Sequence, residues 1–265
     1  MKIIKIPFSA GGLGKTNGTE IAPSEIVEEL RKISINQQGV KLEFNVESVN
    51  VNNSNISETN ENIYNYLMQN DEMPIILGGD HSITYACFKA FSRQFENPGI
   101  IVFDAHPDCE SNFNPPTHED YLRVLIEEGH LKKSNVIVVG LRRWDAKEYE
   151  YLKKNKIKFF SMKEIISEGI TEVSEALMSA ALNFGSLYIS LDIDVLDPAF
   201  APGTGYLEPF GMNTQDLMFL LNRLSNLRNL NALDLVEINP KKDISNITVK
   251  TGALINSELF KTNNF

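Results

Sequence analysis

The chain has 265 residues, 42% of them hydrophobic and 23% charged, the make-up of one large globular domain with an ample core. A formal net charge of −10 argues against a nucleic-acid partner, and no apolar stretch nears the ~20 residues of a membrane span. Two cysteines, Cys87 and Cys109, are too few for a disulfide framework, so a reducing cytoplasm is the expected compartment.

The opening Met1-Lys2-Ile3-Ile4-Lys5-Ile6-Pro7-Phe8 reads as a first β-strand and not as a signal peptide. Further apolar, β-branched runs predict strands at 3–8, 41–48, 74–78, 99–104, 136–141, 157–161, 186–192 and 231–237. Several run without polar alternation, as strands covered on both faces do. Helical patterns lie at 24–33, 59–69, 82–95, 119–130, 145–154, 171–184, 213–226 and 250–261. Alternating strands and helices with buried strands predict an α/β fold, a three-layer αβα sandwich on a parallel eight-stranded sheet. No linker, repeat or low-complexity tract divides residues 1–265, so a single domain is expected.

In such sheets ligands bind beyond the carboxyl ends of the strands. Four of these ends carry chemistry: Gly78-Gly79-Asp80-His81-Ser82, Asp104-Ala105-His106-Pro107-Asp108, Asp192-Ile193-Asp194, and Glu237 before Ile238-Asn239-Pro240. Carboxylates and imidazoles from parallel strand ends converge on a two-metal site. The donor set suits Mn²⁺ best, with Co²⁺, Ni²⁺ or Zn²⁺ as substitutes. Two divalent cations would neutralise the four aspartates. A purely structural network would need Lys or Arg partners, and none occurs between Arg93 and Arg123 or between Lys163 and Arg223.

Individual positions have plainer readings too. His81 stands where a helix starts, with Asp80 or Ser82 as its cap; Asp80 is alternatively a partner that fixes an imidazole. Glu237 is a further ligand, a planar match for a cationic substrate, or a solvated loop residue. His118 is a surface or capping histidine, or a proton shuttle beside the metals. Asp197-Pro198-Ala199-Phe200-Ala201-Pro202-Gly203-Thr204-Gly205 is a rigid turn-rich loop able to wall a site. Arg142, Arg143 and Trp144 follow a strand and stand either at the mouth of the site or in ordinary packing.

Together these motifs resemble the ureohydrolase superfamily of arginases, agmatinases and formiminoglutamases. The resemblance spans nearly the whole chain: Pro7-Phe8-Ser9 with Gly11-Gly12, Gly-Gly-Asp-His-Ser, Asp-Ala-His-x-Asp, Ser-x-Asp-x-Asp-x-x-Asp-Pro with Ala-Pro-Gly-Thr-Gly, and Glu-x-Asn-Pro, all in order. It implies an arginase-like fold and two Mn²⁺. One ion would be held by His81, Asp104, Asp108 and Asp192, the other by His106, Asp104, Asp192 and Asp194. It implies a guanidino substrate received by Glu237, proton transfer through Asp108 and His118, urea and an amine as products, and a homo-oligomer, trimer or hexamer.

Two stretches depart from the family pattern: His118-Glu119-Asp120, and Tyr206-Leu207-Glu208-Pro209 after Ala-Pro-Gly-Thr-Gly. The loop 109–117 also looks short for an arginase. Glu110, Glu119, Asp120 and Glu208 should rim the site and favour a substrate with a cationic or small far end, as in agmatine. Alternatives are a formiminoglutamase-like or other amidine or amide hydrolase, and a metal-binding relative without catalysis.

Overall fold

The computed structural model describes residues 1–70 and 75–259. Pro74, at the start of the third predicted strand, and the end of the last predicted helix at 260–261 lie outside the described residues. The strands are β1 (Lys2–Ile6), β2 (Asn45–Ser48), β3 (Ile75–Gly78), β4 (Pro98–Phe103), β5 (Val136–Leu141), β6 (Lys158–Ser161), β7 (Ser186–Asp192) and β8 (Leu230–Val236). They form one eight-stranded sheet in the order β2-β1-β3-β8-β7-β4-β5-β6, every pairing parallel.

Alternation along the strands assigns side chains to two cores. Ile4, Ile76, Ile100, Val102 and Val138 belong to one, while Ile3, Ile75, Ile101, Phe103, Ile137 and Val139 belong to the other. The first core is closed by α2 (Ile56–Met68), α3 (Ile83–Gln94), α4 (Tyr121–Glu127) and α5 (Ala146–Asn155). The second is closed by α1 (Ala22–Leu30), α6 (Met162–Glu168), α7 (Ile170–Ala181), α8 (Thr214–Leu224) and α9 (Ile247–Glu258). Apolar runs without polar alternation are thus strands with a core on each side, and the three-layer expectation holds.

Some boundaries differ. The run 41–48 pairs with β1 only from Asn45; Lys41 instead makes an isolated antiparallel bridge to Ile35. One predicted helix, 171–184, is preceded by an unanticipated one. Ser161 and Glu164 form a reciprocal capping box that starts α6, and Gly169, at φ 94°, separates it from α7.

Register explains why the chemistry gathers. Leu77 lies beside Leu235, Leu235 beside Leu191, and Leu191 beside Phe103. The four central strands therefore end at one level, and the residues just past that row emerge together. Gly79 tightens the junction: a Cβ there would meet the Phe8 carbonyl oxygen at 1.8 Å, so only glycine fits.

Candidate metal centre

Around His81 Nδ1 stand three carboxylate oxygens, Asp104 Oδ2 at 3.1 Å, Asp108 Oδ2 at 3.0 Å and Asp192 Oδ2 at 3.2 Å. A second group forms beside it, with His106 Nδ1 3.0 Å from Asp194 Oδ2 and 3.4 Å from Asp104 Oδ1. Two donor clusters follow, His81–Asp104–Asp192 and Asp104–His106–Asp194, and Asp104 belongs to both. All the ligand types anticipated from the strand ends meet here, His106 being half-buried and the rest buried.

The backbone aims these carboxylates. Asp104 Oδ1 accepts from His106 N at 2.6 Å, Asp192 Oδ1 from Asp194 N at 2.7 Å, and Asp194 Oδ1 from Ala105 N at 3.0 Å. One oxygen of each is thereby fixed, and the other faces the centre. Asp108 and Glu237 hold left-handed backbone, at φ 50° and 64°, which costs a side-chain-bearing residue about 1–2 kcal/mol. Strain at two neighbouring polar residues marks a place where geometry is held by the surroundings.

Without cations the arrangement is electrostatically unfavourable. Burial and the Asp104 charge push Asp108 up to about 8, and burial with Asp194 and Asp104 raises Asp192 well above the carboxylate range. For Asp104 burial acts upward too, but the His106 and His81 hydrogen bonds win and hold it low. Burial opposes charge on His81, yet Tyr121 and the Asp104, Asp108 and Asp192 carboxylates raise it. Among the described residues no Lys or Arg nitrogen comes within 4.0 Å of a carboxylate oxygen of these four aspartates. Beyond the contacts within the cluster, His81 Nδ1 and Asp104 Oδ2 are buried with no hydrogen-bond partner among the described residues. Inward-turned oxygens and ring nitrogens of this kind fit hard or borderline divalent cations.

Glu237 closes the centre at the end of β8. Its Oε1 accepts from His81 N at 2.8 Å and lies 3.2 Å from His118 Nδ1, while its buried Oε2 has no partner. His118 is buried, not a surface residue, and its Nε2 makes no hydrogen bond among the described residues but lies 3.8 Å from Glu119 Oε1. Burial works against a charge on His118, but the Glu237 hydrogen bond and charge prevail and lift it to about 9. Asp80 commits Oδ1 to Ser82 N at 3.0 Å and to Ser82 Oγ, so it braces the turn before α3 and binds no imidazole.

A cleft of about 520 Å³ opens over these groups, bordered by Lys15, Glu119, Arg143, Trp144, Tyr206 and Glu208. Arg143 and Trp144 thus do stand at the mouth. The acidic rim needs correction: Asp120 is fully buried and accepts from Thr117 N and Oγ1 and from Phe113 N, fixing a turn. The other acids have cationic neighbours, Glu119 with Lys15 at 2.8 Å, Glu110 with Lys147 at 3.8 Å and Glu208 with Arg143 at 3.8 Å. Lys15 and the contacts made by Tyr206 and Arg142 escaped the sequence reading, although Tyr206 stood out as a departure from the resembled pattern. The Arg142 guanidinium gathers the carbonyls of Gly140, Asp194, Val195, Leu196, Glu208 and Pro209, tying the loop after β7 to the loop that carries Glu208.

The central strand ends of this parallel αβα sandwich thus present paired His–Asp clusters able to hold metal ions. The chain belongs to the Arginase family, which it matches over residues 1–261. It is 34% identical over 198 residues to an arginase of Staphylococcus aureus (strain MRSA252), covering 69% of this chain and 66% of that one. It is 32% identical over 194 residues to a formimidoylglutamase of Halalkalibacterium halodurans, covering 71% and 60%. The crystal structure of an arginase from Bacillus subtilis superposes with a TM-score of 0.86 at 27% identity, covering 99% of each chain. The alignment therefore spans just under two thirds of the Staphylococcus aureus relative's length, while the solved fold is matched throughout.

Proposed function

We propose that this chain is a two-metal hydrolase that cleaves a guanidino C–N bond of a small substrate to give urea and an amine. The observation that carries this reading is the unpartnered Oε2 of Glu237, buried beside two donor clusters that share Asp104. His81, Asp104, Asp108 and Asp192 would hold one Mn²⁺, and His106, Asp104, Asp192 and Asp194 the other. Bound in this way, the ions supply the positive charge that lets a water lose its proton near neutral pH.

The chain's own groups do the rest. Glu237 offers Oε2 to the planar guanidinium and turns its carbon toward the water. The water oxygen bonds to that carbon, and the bond from carbon to the amine nitrogen breaks. Asp108 takes the proton the water gives up and delivers it to the leaving nitrogen. His118, beside Glu237, relays protons outward through its buried Nε2, which lies 3.8 Å from Glu119 Oε1 at the cleft mouth.

An agmatine-like substrate is the first reading: the cleft is lined by Glu110, Glu119 and Glu208 against Lys15 and Arg143, each acid having one cationic neighbour. A formimino substrate with a carboxylate tail is the second reading. It is favoured by Lys15 and Arg143, cations at the mouth, and by the similarity to a formimidoylglutamase. Product analysis separates them: Mn²⁺-loaded protein is offered agmatine, arginine, shorter guanidino compounds and a formimino acid. Urea from agmatine supports the first reading, formamide from the formimino acid the second, and neither product from any substrate contradicts both. No helix among the described residues is long and apolar enough to cross a membrane; a cytoplasmic homo-oligomer is part of the proposal.

A further inference from the structure

Asp234 lies in the middle of β8, is fully buried, and has no Lys, Arg or His within 4.0 Å among the described residues. Hydroxyls take the place of a cation. Thr84 Oγ1 donates to Oδ2 at 2.8 Å, Tyr188 Oη to Oδ2 at 2.7 Å, and Ser190 Oγ to Oδ1 at 2.7 Å. A carboxylate surrounded by donors accepts only, so the single Ser190 proton is directed to Asp234. On its other side Ser190 Oγ can then only accept, and what stands there is His81 Nε2, at 2.9 Å. Tyr121 Oη lies 2.9 Å from the same nitrogen and can accept from it as well. The Ser190 contact thus favours the neutral tautomer with its proton on Nε2. The lone pair is left on Nδ1, the atom that faces Asp104, Asp108 and Asp192.

We propose that Asp234 is a positioning residue: acting through Ser190, it fixes the His81 tautomer and so sets the metal affinity of the His81 half of the centre. This rests on the two-ion reading above. Asp234 touches neither donor cluster, and its effect is one-sided, because His106 has no link to it.

The test is a Mn²⁺ titration of metal-stripped protein, with free Mn²⁺ counted by electron paramagnetic resonance. Wild type is expected to take up two ions. In S190A and D234N one ion should bind as before, within about threefold, and the other about 10–100-fold more weakly. Y188F removes a different hydroxyl from the same carboxylate and should bind both ions within about threefold of wild type. Should D234N not fold, S190A decides, since Asp234 keeps Thr84 and Tyr188 there. Unchanged binding in S190A, equal weakening of both ions, or a Y188F loss as large as that of S190A overturns the proposal alone. Fewer than two ions in wild type overturns the two-ion reading and this inference with it.

Discussion

Lys15 and Glu119 meet across the mouth of the cleft, Nζ 2.8 Å from Oε1, and Tyr206 Oη donates to the same oxygen at 3.1 Å. The Lys15 ammonium also stands 5.4 Å from the centre of the Tyr206 ring. Tyr206 in turn packs against both His106 and His118, with ring centres 5.3 and 6.0 Å away. The stretches 118–120 and 206–209, singled out in the sequence, thus bind each other.

Under the proposed reaction, this contact would set the charge met by the tail of a substrate. E119Q would release Lys15 and strengthen the preference for carboxylate-tailed substrates; K15M would do the reverse and favour agmatine. The expected change in the ratio of kcat/KM for agmatine over arginine is several-fold in opposite directions. Both partners reach solvent, so stability should move by no more than about 1 kcal/mol, read as a small change in Tm. Parallel changes in the two variants would remove the contact from the specificity account.

Arg142 predicts a larger structural effect. Its planar fork serves carbonyls on three segments, which a lysine ammonium cannot reproduce. R142K should lose about 2–4 kcal/mol in denaturant unfolding, since partly buried carbonyls are left unsatisfied. A variant as stable as wild type would show that water replaces the guanidinium.

Glu148, which lines the same cleft and accepts from the backbone N–H after Asp108, carries a pH signature in the metal-free protein. Burial raises its carboxyl to about 7, against the downward pull of the backbone N–H groups of Asp145 and Cys109. Between about 4.5 and about 7 the folded chain holds a proton that the unfolded chain has released, so stability falls as pH rises through that window. The loss is complete above it. E148Q should flatten this part of the Tm–pH curve and raise Tm at pH 8, as followed by circular dichroism. An unaltered slope would contradict the shift.

Metal removal gives the fourth prediction. Under the two-ion proposal, ions would bind the folded chain and relieve the crowding of Asp104, Asp108, Asp192 and Asp194, so a chelator should lower Tm. At ion concentrations about 100-fold above Kd each site is worth about 2.7 kcal/mol. A melting curve indifferent to complete demetallation would count against the clustered site.

The sheet and the donor groups were legible because both are written locally. A strand with a core on each side reads as an unbroken apolar run, and His81, Asp104, His106, Asp108, Asp192, Asp194 and Glu237 each follow such a run. Partners far apart in the chain were not legible. Lys15 and Glu119 are 104 residues apart, and nothing near either names the other. Asp120 read as a rim acid because its charge is visible in sequence, whereas its burial under Phe113 and Thr117 is a property of the folded loop. The capping box at Ser161 and Glu164 was readable and passed over. Asp234 left a trace too, as a charge inside the apolar run of a buried strand.

The most direct measurement follows urea release while metal-stripped protein is reloaded stepwise with Mn²⁺, with D108N beside it. The account predicts that turnover tracks filling of the second site and that D108N stays silent at every loading. Turnover that persists in chelator, or an equally active D108N, would contradict it.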